Sequence, residues 1–193
     1  MQEKNHYFCN TGVTQYLDDY ASAIRAGLTA VDEQELENAR LLLKTASRIF
    51  VAGNGGSAAI SDHFLCDFKK GAGRKVINLS ANPALLSALH NDLEFPDLVF
   101  DWQLDHWNAD AGDVIVLISS SGTSANIMRA AQWAKAHKVN LIGLTGFTGG
   151  GLNVLANVKL HVPIHNYGVV EDAHQALMHI LSQFIYLEER DAK

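Results

Sequence analysis

The chain has 193 residues, 48% of them hydrophobic and 19% charged, which is ample apolar content for the core of one domain. Fifteen Lys and Arg against 21 Asp and Glu leave a formal charge of -6, the reverse of what a duplex-binding protein carries, so direct nucleic-acid binding is not expected. Two cysteines, Cys9 and Cys66, cannot build a disulfide framework and fit a reducing, cytoplasmic setting. No apolar run is long enough for a bilayer, and residues 1–10 lack the apolar stretch of a leader, so neither membrane nor export is expected.

In chain order, apolar residues at Tyr16, Leu17, Tyr20, Ala21, Ile24 and Leu28 follow a helical period and predict a helix over 13–31. Asp32, with Glu35 three residues on, reads as a capping box that opens a second helix to about residue 47. A short apolar run over 48–52 then ends in Gly53-Asn54-Gly55-Gly56-Ser57 and leads into a helix over 58–68. Further strands are predicted over 75–79, 113–119, 139–145 and 158–164, with helices over 83–90, 96–107 and 124–137 between them. An amphipathic helix over 170–189 comes last. Apolar strands alternating with helices make this an α/β chain with a parallel sheet covered on both faces.

In such sheets, ligands sit beyond the carboxyl ends of the strands, where loops feed helix N-termini. Two loops here have the composition for an anion. In the first, glycines at 53, 55 and 56 allow close backbone approach and Ser57 offers a hydroxyl at a helix start. The second, Ser119-Ser120-Ser121-Gly122-Thr123-Ser124, crowds hydroxyls beside the free N–H groups of the next helix. Each alone is equally readable as turn and cap residues, but the pair favours a phosphate. The first loop lacks the lysine of a P-loop, Ala58 stands where a dinucleotide fingerprint needs its third glycine, and no acid ends the next strand. A small sugar phosphate suits these loops better than ATP or NAD.

The titratable residues cluster in two places. His63 and Asp67 share one face of the helix leaving the first loop, and Glu171, Asp172, His174 and His179 crowd the last helix. If the two helices converge over the loops, these side chains suit a divalent metal as well as acid/base work; otherwise they are ordinary core, surface and helix-end residues. Eight residues separate Glu171 from His179, a rise of about 12 Å. The two can share an ion only if their side chains lean together or Glu171 precedes regular helix.

With Gly53 to Ser57, His63-Phe64, Asn91-Asp92, the serine loop, Leu144-Thr145-Gly146 and the Glu171, His174, His179 series in one order, the chain resembles the sugar isomerase (SIS) domain family, in its phosphoheptose isomerase branch. The resemblance implies a three-layer α/β/α sandwich around a five-stranded parallel sheet, flavodoxin-like. It also implies one SIS domain over residues 1–193 with a helical extension over about 1–47. It further implies a homotetramer whose sites draw on more than one subunit. The implied activity is the aldose–ketose conversion of sedoheptulose 7-phosphate to D-glycero-D-manno-heptose 7-phosphate through an enediol, in lipopolysaccharide heptose synthesis. By the same resemblance, Asn54, Gly55, Gly56, Ser57, Asn91, Asp92, Ser119, Ser120, Ser121 and Ser124 would hold the substrate and its phosphate. His63, Asp67, Glu171 and His179 would hold a divalent metal, zinc, with Asp67 and His179 as base and acid. The chain departs from the family at three of these places: Asp67 stands for a Glu, Glu171 for a Gln and Gly168 for an Asp. The competing implication is a non-catalytic SIS protein that binds a phosphosugar or a replication initiator.

Overall fold

The computed structural model describes residues 5–9, 12–92, 97 and 99–191. Two helices lead, α1 (Val13–Thr29) and α2 (Glu33–Thr45), the second opened by Asp32, whose carboxylate accepts from the N–H groups of Gln34 and Glu35 at 2.8 and 3.1 Å. The Glu35 side chain does not return that bond. Its carboxylate accepts instead from the Lys159 N–H at 3.0 Å and so ties α2 to the far edge of the sheet.

Then come β1 (Ile49–Gly53), α3 (Gly56–Lys70), β2 (Val76–Asn78), α4 (Pro83–Asp92), α5 (Val99–His106), β3 (Val114–Ser119) and α6 (Ala125–His137). The chain closes with β4 (Asn140–Thr145), α7 (Gly150–Leu155), β5 (Val158–His161) and α8 (Tyr167–Asp191). The five strands pair in parallel in the order β2-β1-β3-β4-β5. Every residue of β1 and β3 is buried, as a central strand covered on both faces requires.

Successive side chains of a strand point to opposite faces, and the core divides accordingly. Ile49, Val51, Val116, Ile118 and Leu144 pack with α2, α3 and α8, while Phe50, Ala52, Ile115, Leu117 and Leu141 pack with α5, α6 and α7. The expected α/β/α sandwich with its five-stranded parallel sheet is therefore what the chain forms. Helix α1 lies on α8 and not on the sheet. Gly27 lets α1 also come close to the segment that follows β5, because a Cβ there would sit 2.8 Å from Val162 Cγ1.

Two boundaries differ from the expected ones by three residues. Strand β5 stops at His161, where Pro163 cannot donate a ladder bond. Helix α8 starts at Tyr167, because the Asn166 side chain accepts from the Val169 N–H at 3.2 Å and caps it early. Helix α7 was not predicted at all. The expected start of the helix over 96–107 lies outside the described residues. No helix among the described residues is long and apolar enough to cross a membrane.

Candidate active site

Strands β1 and β3 are neighbours, so the loops leaving them stand side by side and aim the N-termini of α3 and α6 at one place. Between them lies a cavity of 320 Å³ lined by Asn54, Ser57, Ser119, Ser120, Ser121, Thr123 and Ser124, with Tyr167 and Glu171 of α8 closing it. Two side-chain amides lock the loops together: Asn54 and Asn126 each donate to the other at 2.9 Å. Gly55 takes φ +55, the left-handed turn that delivers the chain into α3.

The hydroxyls are left ready for a ligand. Ser124 is the N-cap of α6, yet its side chain makes no capping bond, so it and the N–H groups of Ala125 and Asn126 remain available, while the Ile127 N–H donates to the Asn126 side chain at 2.9 Å. Ser120 is buried at 5% exposure and its Oγ has no partner among the described residues. A buried orphan hydroxyl costs about 1–3 kcal/mol unless something bonds it, and a phosphate oxygen in this cavity would. Ser119 and Ser121 line the cavity as well, Ser119 accepting from the Gly122 N–H and Ser121 from the N–H and hydroxyl of Thr123.

On the next turns of α3, His63 and Asp67 face α8. His179 Nδ1 lies 2.8 Å from Asp67 Oδ2, His63 Nε2 lies 3.5 Å from Asp67 Oδ1, and the two imidazoles meet edge to face at 4.8 Å. One donor atom from each falls within 4.8 Å of the others. Two imidazoles and a carboxylate suit zinc or a similar divalent ion and leave a coordination position for substrate, so the donor set fits a catalytic metal.

Glu171 is not with these three. It lies inside regular helix, two turns before His179, and its carboxylate sits over the start of α3, where a Cβ on Gly56 would come within 2.3 Å of its Oε2. Burial, and secondarily the neighbouring Asp172, hold its carboxyl above the usual carboxylate range. His174 turns away into the core. Fully buried, it donates from Nε2 to the Thr145 carbonyl at 3.1 Å, and its Nδ1 has no partner among the described residues. Burial pushes its pKa down to about 4.

Asn91 and Asp92 stay exposed at the end of α4, bonded to each other at 2.7 Å, and do not line the serine cavity. Gly168 has a local reason: a Cβ there would lie 2.8 Å from the Tyr20 hydroxyl, which passes over it to donate to Asp172 at 2.8 Å. Burial, with the bond to Asp172 next, raises the Tyr20 pKa to about 12. Sequence reasoning missed Tyr20, Asn126, Tyr167 and Gln175. Their partners are distant in sequence or one turn away on a helix, and no local composition marks them.

Residues 15–146 match the SIS domain family model. The chain is 36% identical over 151 residues to a phosphoheptose isomerase of Helicobacter hepaticus, covering 76% of each chain. It is 31% identical over 184 residues to one of Geobacter sulfurreducens, covering 88% of this chain and 96% of that one. Among solved structures it superposes on the phosphoheptose isomerase of Neisseria gonorrhoeae with a TM-score of 0.80 at 30% identity, over 89% of this chain and 97% of the other.

Proposed function

The chain belongs to the SIS domain family, and we propose that within it the protein is a phosphosugar isomerase that interconverts sedoheptulose 7-phosphate and its aldose by proton transfer. The carrying observation is that the helix pair α3 and α8 runs from a hydroxyl-lined anion cavity, completed by the serine loop after β3, to a His–Asp–His group two turns further along. From Ser57 to His63 the rise along α3 is about 9 Å. An extended sugar phosphate bridges that interval, with its phosphate among the serines and its carbonyl end beside Asp67 and His179.

In this reading the α3 and α6 N-termini and Ser57, Ser119, Ser120, Ser121 and Ser124 bind the phosphate and fix the register of the carbon chain. Asp67 takes a proton from C1 of the ketose as His179 gives one to the C2 oxygen, and the enediol so formed is reprotonated at C2 while the C1 hydroxyl loses its proton to leave an aldehyde. His63, Asp67 and His179 would hold a divalent metal, zinc by donor type, which when bound polarises the carbonyl. Tyr167, at the start of α8, lines the cavity at the phosphate end.

Asp67→Asn keeps size and removes the charge. Turnover of sedoheptulose 7-phosphate should fall by at least about 10²-fold, with unfolding by urea nearly unchanged. If turnover and metal content both stay at the wild-type level, the acid/base assignment fails and a binding role takes its place.

The assembly proposed is a homotetramer. Val13 and Leu17 on α1 and Phe184, Tyr186 and Leu187 on α8 are apolar or aromatic yet exposed in the single chain, Leu17 at 66%. A second copy would cover them. Sedimentation at micromolar concentration should report about four chains, and a stable monomer would overturn the assembly.

A further inference from the structure

The catalytic histidine has a second partner that the proposed chemistry does not use. Gln175 lies one turn before His179 on the same face of α8, and its side-chain nitrogen is 2.9 Å from His179 Nε2. On the other side of the ring, Nδ1 is 2.8 Å from a carboxylate oxygen of Asp67. An ionised carboxylate only accepts, so this bond puts the imidazole proton on Nδ1 and leaves a lone pair on Nε2. The Gln175 amide N–H donates to that lone pair. Both nitrogens of one half-exposed ring are thereby engaged, and the ring plane is fixed between α3 and α8.

A primary amide carries both a donor and an acceptor, and turning it over exchanges one for the other at the same position. If Nδ1 gives up its proton to ligate a divalent cation with His63 and Asp67, the neutral ring must carry its proton on Nε2. The same Gln175, turned over, then accepts that proton at Oε1. Metal-bound imidazoles regularly need such an outer acceptor to fix ring and tautomer. Alanine or leucine here would pack against α8 as well but could serve neither state, and glutamate could serve only the second.

We propose that Gln175 is a positioning residue for His179, a reversible amide clamp that holds the ring as its Nδ1–H tautomer in the free protein and as its Nε2–H tautomer when a divalent cation is bound. This rests on the metal reading of His63, Asp67 and His179 for its second half only; the first half concerns the free protein.

The test is long-range proton–nitrogen NMR on the full chain labelled with 15N-histidine, without and with zinc, together with calorimetric zinc titration. Wild type should show His179 as the Nδ1–H tautomer alone, turning to Nε2–H with zinc. Gln175→Met, of similar length without a hydrogen-bonding amide, should show a tautomer mixture without zinc and bind zinc about 10–100-fold more weakly. Gln175→Glu should restore zinc affinity while favouring Nε2–H even in the free protein, an outcome that a purely structural role would not produce. Wild-type tautomer and wild-type zinc affinity in the Met variant would overturn the proposal. If wild type itself takes up no zinc, the metal reading fails and the metal-bound half of the proposal with it. The tautomer comparison between wild type and the two variants then decides the remaining half, and identical spectra overturn it.

Discussion

Glu171 is the residue whose position most changes the chemistry of the site. Its carboxylate occupies the positive end of α3, where Gly56 leaves room for it and where a phosphate would otherwise be welcome. A negative charge lining a phosphate cavity costs affinity unless a proton or cation offsets it. Glu171→Gln should therefore tighten binding of inorganic phosphate roughly tenfold, because unit charges about 4 Å apart repel by about 1 kcal/mol in water and more beside protein. Calorimetric titration of both proteins with inorganic phosphate at pH 8 measures it. Unchanged or weaker binding would mean that the carboxylate contacts something other than the anion. The hydroxyls of this cavity were legible in the sequence, because two glycine- and serine-rich loops at strand ends together favour an anion where either alone reads equally as turn and cap. The Glu171 placement was not. Which of two stations along α3 a side chain of α8 reaches depends on how the helices are offset, and helical periodicity carries no information about offset.

At the scale of elements, the serine loop is shaped by a helix that no periodicity announced. Helix α7 has only six residues and begins with two glycines, too short and too glycine-rich to show an apolar stripe. It braces the loop all the same: the Leu152 N–H donates to the Gly122 carbonyl at 2.9 Å, beside a second tie from just after β4, where the Gly146 N–H donates to the Ser120 carbonyl at 2.8 Å. Gly122 makes this contact possible, with φ +63 and a Gly149 carbonyl oxygen 2.1 Å from where its Cβ would be. Gly122→Ala meets both a left-handed backbone and a backbone neighbour that cannot swing aside. A loss of roughly 2–4 kcal/mol in urea unfolding is expected, with a larger loss of phosphate affinity than stability alone explains. Unchanged stability would show that the loop is free to relax. By contrast, the strands were legible almost to the residue. A central parallel strand is buried on both faces, and Ile115 to Ile118 or Phe50 to Ala52 have no polar alternation to confuse. The edge strand β5 was overextended by three residues, and β2, at the other edge, by one at each end.

At the scale of the whole molecule, α8 joins every part: it covers the sheet, receives α1, closes the cavity and carries His179. Its central His174 is fully buried in the sheet-facing core, and the Thr145 carbonyl it bonds also accepts from the Val162 N–H at 2.8 Å. The folded protein keeps this imidazole neutral down to about pH 4, against an ordinary value of 6.5. Between those values the unfolded chain binds a proton that the folded chain refuses, so stability falls with falling pH. The contribution is complete above about pH 6.5, is lost progressively towards pH 4, and amounts to roughly 3 kcal/mol when fully lost. Carboxylates add their own slopes in the same window, so the measurement is a difference. His174→Leu keeps an apolar contact with the core and leaves Thr145 its backbone partner. At a fixed protein concentration, its urea stability should decline less between pH 6.5 and 4.5 than that of wild type, by roughly 2–3 kcal/mol. Parallel curves would mean that the core opens to hydrate His174 before the molecule unfolds.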